Sequence, residues 1–397
     1  MTATRPARQR VALDVDDLYG IDELLTPDER LVRNTVRAFL GDRALPAIAE
    51  HFEQGTFPRE LVGGLAELGL LGMHLHGYGC AGASAVAYGV ACEELEACDS
   101  GLRSFVSVQG SLAMSAIHFF GSEAQKERFL PELAAGRAIG CFALTEPDAG
   151  SDPAVMRTRA RRDDGDWVIN GTKMWITNGS IADVAVVWAA TDEGIRAFLV
   201  ERSARDFSTR DIHDKLSLRA SVTSELAFDS VRVSDEARLP EATSLGAALA
   251  CLNEARYGIA WGAMGAARSC FDTALAYSRE RHAFGKPIAA FQMTQQKLVD
   301  MATAIVQGRL MAHRLGTLKD AGGLHPVQVS VAKRANVRAA LDVARTSRTI
   351  LGANGLTLQY PVSRHMANLE TVLTYEGTEE VHTLIVGRAL TGLDAFS

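Results

Sequence analysis

The 397-residue sequence predicts a mainly α protein with a central β domain. Three observations carry that reading. Apolar residues recur at helical spacing through the first third, in short strand-like runs between about 139 and 243, and at helical spacing again from 244 onward. The change at Ile139 brings VAVVWAA, RAFLVE and TSELAFDSVRV in close succession. The helical runs after Ser244 are long and their connections short, which makes a bundle. The expected organisation is a flexible N-terminal segment over 1–25, a helical domain over 26–138, a β domain over 139–243 and a helical bundle over 244–397.

Taken in order, the stretch DERLVRNTVRAFL places Leu31, Val32, Thr35, Val36 and Phe39 on one helical stripe. Trp167 to Ile169, then Asn170-Gly171, then Lys173 to Ile176 reads as a β-hairpin turning at Asn-Gly, and Asn178-Gly179 as a further turn. Helices are expected at about 245–281, 289–320 and 326–351, separated by FGKPI and AGGLHP. Thr378 caps a last helix, which would bury Val381, Leu384, Ile385 and Leu390. There is no internal repeat.

Composition excludes several classes of function. With 41 basic and 48 acidic residues, a net charge of −7 and no long run of one sign, no nucleic-acid surface is expected. No apolar run approaches a membrane span, and MTATRPARQR has no hydrophobic stretch behind its arginines. The six cysteines show neither CxxC pairs nor metal-ligand spacing, which suits free thiols in a reducing cytoplasm, and no metal is expected. Gly77, Gly79 and Gly82 spell GxGxxG, but the motif follows helical sequence and leads into more helix, so a dinucleotide site is not expected. His74 and His76 lack an acidic or cysteine partner at metal spacing, and there is neither a GxSxG nor a P-loop.

One residue stands out on local grounds. In TVLTYEGTEEVHTL (371–384), Glu379 and Glu380 fall in a first helical turn, where the macrodipole favours acids. Glu376 precedes the cap, between Tyr375 and Gly377, on a segment reached from the apolar Leu369, Val372 and Leu373. A carboxylate at an apolar boundary is a candidate general base, set against an ordinary loop acid.

The stretches LTEPDAGSD (144–152), NGTKMWITNG (170–179), RHAFGKPIAAFQ (281–292), LGANG (351–355) and YEGT (375–378), in this order, resemble the acyl-CoA dehydrogenase flavoproteins. The likeness runs from about Thr26 to Phe396, and ACDSGLRSFVSVQGSL with CLNEARYGIAWGAMG is similar to the glutaryl-CoA dehydrogenases within the family. It implies a helical N-terminal domain, a β-barrel-like middle domain and a C-terminal four-helix bundle. It also implies FAD as cofactor, a homotetramer, and an electron-transferring flavoprotein as acceptor. The positions matching flavin contacts are Phe142, Leu144, Thr145, Gly150, Ser151, Trp175, Ile176 and Thr177, and Thr378 and Glu380 near the C-terminus. Arg281, Phe284 and Gln292 match positions that reach the flavin's diphosphate and adenosine from a neighbouring subunit, with Thr349, Gly352 and Ala353 as a further backbone contact segment. Ala353 stands where the family commonly has glycine, which is harmless if its φ is negative. On the residues alone, DAGSD is a turn and Trp175 a β-core tryptophan.

By the same resemblance Glu376 is the base that removes the α-proton of an acyl thioester while the β-hydrogen leaves as hydride to the flavin. The thioester oxygen then accepts from the base's own backbone N–H. Some relatives carry the base at the position of Ala255, one residue from Glu254. Arg103 matches the arginine that holds the distal carboxylate of glutaryl-CoA, assisted by Ser107 and Glu96, and Ser104 is a further substrate position. From the residues alone, Arg103 would make a structural pair with Glu96 or Asp99. Ser151, Asn253, Arg256, Tyr375, Gly377 and Phe396 complete the substrate positions. Retention of Glu96 and Tyr375 implies the decarboxylating branch, giving crotonyl-CoA and carbon dioxide. The alternatives are a non-decarboxylating glutaryl-CoA dehydrogenase, a dehydrogenase of another short-chain acyl group, and a flavin-binding protein without turnover.

Overall fold

The computed structural model describes residues 17–396. Seven α-helices form the N-terminal unit: α1 (Pro27–Arg43), α2 (Ile48–Gln54), α3 (Leu61–Glu67), α4 (Ala85–Cys98), α5 (Ser100–Ser107), α6 (Ser115–Phe120) and α7 (Glu123–Ala134). Thr26 opens α1 with a capping box: its hydroxyl accepts from Glu29 N while the Glu29 carboxylate accepts from Thr26 N. A π-helical stretch, Val108–Met114, joins α5 to α6 and is wholly buried. Ahead of α1 the structure departs from the sequence expectation of a flexible 1–25. Ile21 and Leu25 are buried, and Asp22 pairs with Arg33 and Arg309, so the segment from Asp17 is tied down; the earlier part lies outside the described residues.

The middle unit is a seven-stranded sheet of β1 (Gly140–Ala143), β2 (Arg159–Asp163), β3 (Asp166–Thr177), β4 (Val184–Thr191), β5 (Gly194–Glu201), β6 (Phe207–Asp211) and β7 (Thr223–Val233). The strand order is β1-β4-β2-β3-β7-β6, with β5 on β4. The hairpin expected at Asn170-Gly171 is not there. Trp167 to Ile176 is one strand, β3, and its turn to β2 lies at Asp164-Gly165. Gly171 instead sits at a register shift against β7 with φ 150°, and a Cβ there would lie 2.7 Å from Thr158 Cα. Asn-Gly here makes a bulge because Asn170 accepts from Ser230 N across the sheet.

The C-terminal unit contains α8 (Leu245–Glu280), a small β8 (His282–Ala283) and β9 (Lys286–Pro287) ribbon, α9 (Gln292–Asp320), α10 (Pro326–Leu351), α11 (Val362–Thr374) and α12 (Glu379–Thr391). Thr378 caps α12 as expected, accepting from Val381 N. The expected buried stripe on α12 does not form in the single chain. Val381, Leu384 and Ile385 are half-buried and Leu390 is 81% exposed, whereas His382 is buried. Helix α12 packs mainly on α10, so only the face carrying His382 is covered.

The GxGxxG glycines fall in the loop between α3 and α4, all at positive φ with no preceding strand. His74 is buried beside Ser115, and desolvation pushes it down to about 4, so it stays neutral. All six cysteines are free, five of them buried. No described helix is long and apolar enough to cross a membrane.

Candidate active site

The site is assembled where α11 ends and α12 has not begun. Tyr375 closes α11 in extended conformation and Thr378 opens α12, leaving Glu376 and Gly377 to make the turn. Glu376 has φ 54° and Gly377 φ 90°, so a non-glycine residue occupies the left-handed region. Two buried side chains hold this turn by its carbonyls through three hydrogen bonds. Lys333 Nζ, from α10, donates to Tyr375 O and to Gly377 O, each at 2.5 Å. Arg256 Nε, from α8, donates to Glu376 O at 2.7 Å. Gly377 is required by crowding as well as by φ, since a Cβ there would lie 3.0 Å from His382 Nε2 and 3.3 Å from Arg256 Nη2.

The Glu376 carboxylate thus sits among cations rather than in an apolar loop. Its Oε2 is shielded and has no hydrogen-bond partner among the described residues. Burial pushes its pKa up, opposed by Arg103, Lys333 and Arg256. Burial likewise pushes Lys333 down to about 7, against the pull of Glu376. Burial lowers His382 to about 3, assisted by Lys333 and Arg256, so that ring is neutral. A carboxylate that gains a proton more readily than a free glutamate is what a base for a weak carbon acid needs.

Facing the turn is a fully buried polar cluster on α4 and α5. Arg103 Nε donates to Glu96 Oε2 at 2.7 Å, and its Nη2 donates to Tyr375 Oη. Ser104 Oγ is 3.1 Å from the same phenol oxygen. Nη1 of Arg103, Oε1 of Glu96 and Oγ of Ser107 are buried with no hydrogen-bond partner among the described residues. Asp99, the other partner considered for Arg103, belongs to Arg364 and Asn368. Arg103 thus pairs with Glu96, as the residues alone suggested, and its Nη1 has no partner among the described residues.

A second group lies along β1 and β3. Met174 N donates to Thr145 O, and Lys173 Nζ donates to Leu144 O and Glu146 Oε1, which holds the Leu144–Thr145 segment beside Trp175. A register shift between Lys173 and Ile176 puts Trp175 at φ 63° and 58% exposed, so it is not a core tryptophan. Ile176, by contrast, points into the β core with only 2% exposure, leaving its backbone as its sole offering. Phe142 is buried on β1, Thr177 is half-buried, and Gly150 and Ser151 are exposed. Outward aromatic surface beside small residues and free backbone fits a flavin ring and diphosphate.

Other expected residues lie apart from the turn. Arg281, Phe284, Gln292, Thr349, Gly352 and Ala353 are exposed, and among the described residues no hydrogen bond or ion pair joins them to Glu376. Ala353 does not have positive φ, so the alanine is accommodated. Asn253 lines a cleft of about 330 Å³ with Glu254 and Lys319. Glu254, near the alternative base position, is paired with Lys319 at 2.6 Å. Phe396 and Glu380 are exposed, the latter beside the Thr378 cap. Lys333 and His382 were not expected. A signal existed for Lys333, which lies four residues from Val329 and four from Val337 on the buried stripe of α10.

Sequence comparison agrees with this layout. Three family profiles match: Acyl-CoA dehydrogenase, N-terminal domain over 26–137, middle domain over 141–231 and C-terminal domain over 245–391. The chain belongs to the acyl-CoA dehydrogenase family. A short-chain specific acyl-CoA dehydrogenase of Clostridium acetobutylicum is 36% identical over 373 residues, covering 92% of this chain and 98% of that protein. Among solved structures, a glutaryl-CoA dehydrogenase of Mycobacterium smegmatis is 62% identical with a TM-score of 0.96, covering 97% of this chain and 100% of the other. A second from the same organism, in complex with FADH2, is 57% identical with a TM-score of 0.95, covering 96% and 98%.

Proposed function

We propose that this acyl-CoA dehydrogenase oxidises glutaryl-CoA and decarboxylates the product to crotonyl-CoA. The observation that carries the choice of substrate is the shielded, partnerless Nη1 of Arg103, with Ser107 Oγ and Glu96 Oε1 in the same state. An apolar acyl chain would leave that donor unmet, whereas a distal carboxylate satisfies it. The guanidinium is held charged well above its usual range by Glu96, Tyr375 and Glu376 against desolvation.

Trp175, the Leu144–Thr145 segment and the Gly150–Ser151 turn would hold FAD, with Arg281, Phe284, Gln292 and the Thr349, Gly352 and Ala353 segment serving a neighbouring subunit of a homotetramer. When bound, the flavin accepts the β-hydrogen of the substrate as hydride. This chain's part is to bind and to move protons. Arg103 fixes the far end of the acyl chain, and Glu376 takes the α-proton at the other. Its backbone N–H meets the enolate-like thioester oxygen. In the oxidised product, the new double bond is conjugated to the thioester, so the bond from Cγ to the carboxylate can break, carbon dioxide leaving and the bond's electron pair passing into a dienolate. The proton now on Glu376 returns to that dienolate. The electrons pass to an electron-transferring flavoprotein.

The test is the acyl product of the purified yellow protein with glutaryl-CoA and an electron-accepting dye, identified by mass spectrometry. Crotonyl-CoA with released carbon dioxide is expected. Glutaconyl-CoA would move the enzyme to the non-decarboxylating branch, and turnover of butyryl-CoA alone would remove the assignment of Arg103.

A further inference from the structure

The carbonyls of Tyr375, Glu376 and Gly377, at and beyond the end of α11, are each gripped by a cation anchored in the bundle. We propose that Lys333 is a positioning residue for the base: it clamps the carbonyls on either side of Glu376, and its charge holds that carboxylate in the ionised, proton-accepting form. This rests on the reading of Glu376 as the base.

The geometry sets the clamp apart from an ordinary buried ion pair. Lys333 is 2% exposed and Arg256 7%, and they reach the turn from α10 and α8, two helices packed along much of their length. Two of the three ammonium donors go to the turn's carbonyls, so the peptide groups carrying Glu376 cannot rotate without losing them. That restraint opposes the strain of a non-glycine residue held in the left-handed region. It also fixes the direction of the Glu376 N–H and of the side chain together. The charges facing Glu376 are Arg103 on α5, Arg256 on α8, Lys333 on α10 and Glu96 on α4. Those facing Lys333 are Glu376, Arg256 and Arg103, with the neutral His382 on α12 nearby. Of the cations, Lys333 alone bridges both sides of the turn. Desolvation brings it to about 7, so its charge is partial at neutral pH and complete on the acid side.

The experiment is α-hydrogen exchange of butyryl-CoA in D2O, run anaerobically with the FAD-loaded protein across a pH series and read as deuterium incorporation by mass spectrometry. Glu376 accepts a proton only when ionised, so exchange falls on the acid side as it protonates. In Lys333→Met the lost cation destabilises the carboxylate, and the acid limb moves up by about one pH unit, a roughly tenfold loss of exchange at a fixed acidic pH. Lys333→Arg keeps the limb where the wild type has it, even if the plateau is lower. Lys333→Gln, an uncharged donor, carries the same comparison where Lys333→Met fails to fold, and shifts the limb likewise. An unmoved limb in the uncharged variants, with exchange abolished in Glu376→Gln, would overturn the electrostatic role of Lys333 while leaving Glu376 as base. Exchange that persists in Glu376→Gln would overturn the reading of the base and the proposal with it.

Discussion

Glu376→Gln is expected to yield a yellow, FAD-loaded protein that acyl-CoA no longer bleaches. The substitution is nearly isosteric and the turn should survive it, because Lys333 and Arg256 grip backbone carbonyls that glutamine retains. Oε2 makes no hydrogen bond in the wild type, so no protein contact is lost there. The missing negative charge leaves Arg103, Arg256 and Lys333 facing one another, but Lys333, already down at about 7, sheds its proton and relieves the repulsion. What disappears is the proton acceptor. General-base groups contribute about 10²–10⁴-fold, and the two other carboxylates considered are engaged, Glu96 with Arg103 and Glu254 with Lys319. Stopped-flow absorbance of the flavin band checks this. Bleaching at a wild-type rate would remove Glu376 as the base.

Arg103→Ala is expected to lose more than about 100-fold in kcat/KM on glutaryl-CoA relative to its loss on butyryl-CoA. Removing one partner of a buried charge pair typically costs about 3–5 kcal/mol, and here two such pairings are at stake. One is the proposed pairing with the substrate's distal carboxylate. The other is with Glu96, which is 0% exposed and would be left uncompensated. That second loss lowers stability for every substrate, so the ratio between substrates is the informative quantity. Glu96→Gln combined with Arg103→Met removes both charges and separates folding from recognition. Equal losses on both thioesters would make Arg103 a structural arginine.

Much of the architecture was legible before folding because it depends on local pattern. The α10 boundaries, the Thr378 cap and the switch into strands at about residue 139 follow from spacing and capping chemistry between near neighbours. The misread points were those where a distant contact decides. Asn170-Gly171 has the composition of a hairpin turn, yet Asn170 bonds to Ser230 and Gly171 approaches Thr158, so the strand runs on through a bulge. Leu384 and Leu390 on α12 are apolar at helical spacing, but α10 covers a different face. Residues 17–25 looked like part of a tail because their partners, Arg33 and Arg309, lie outside the segment.

The site divides along the same line. By itself the sequence determined the three-part fold, the identity of Glu376 as a candidate base and, through motif order, the flavoprotein family, since each is carried by residues adjacent in the chain. Only the tertiary structure decided what tunes that base. Arg103 meets Tyr375 across 272 residues, Arg256 reaches Glu376 across 120, and Lys333 grips the turn from a helix whose own sequence reads as ordinary bundle core. A buried cation's effect depends on its distance from the carboxylate and on the water excluded between them. Both are set by how α4, α5, α8, α10 and α12 pack around one left-handed residue, which no local pattern specifies.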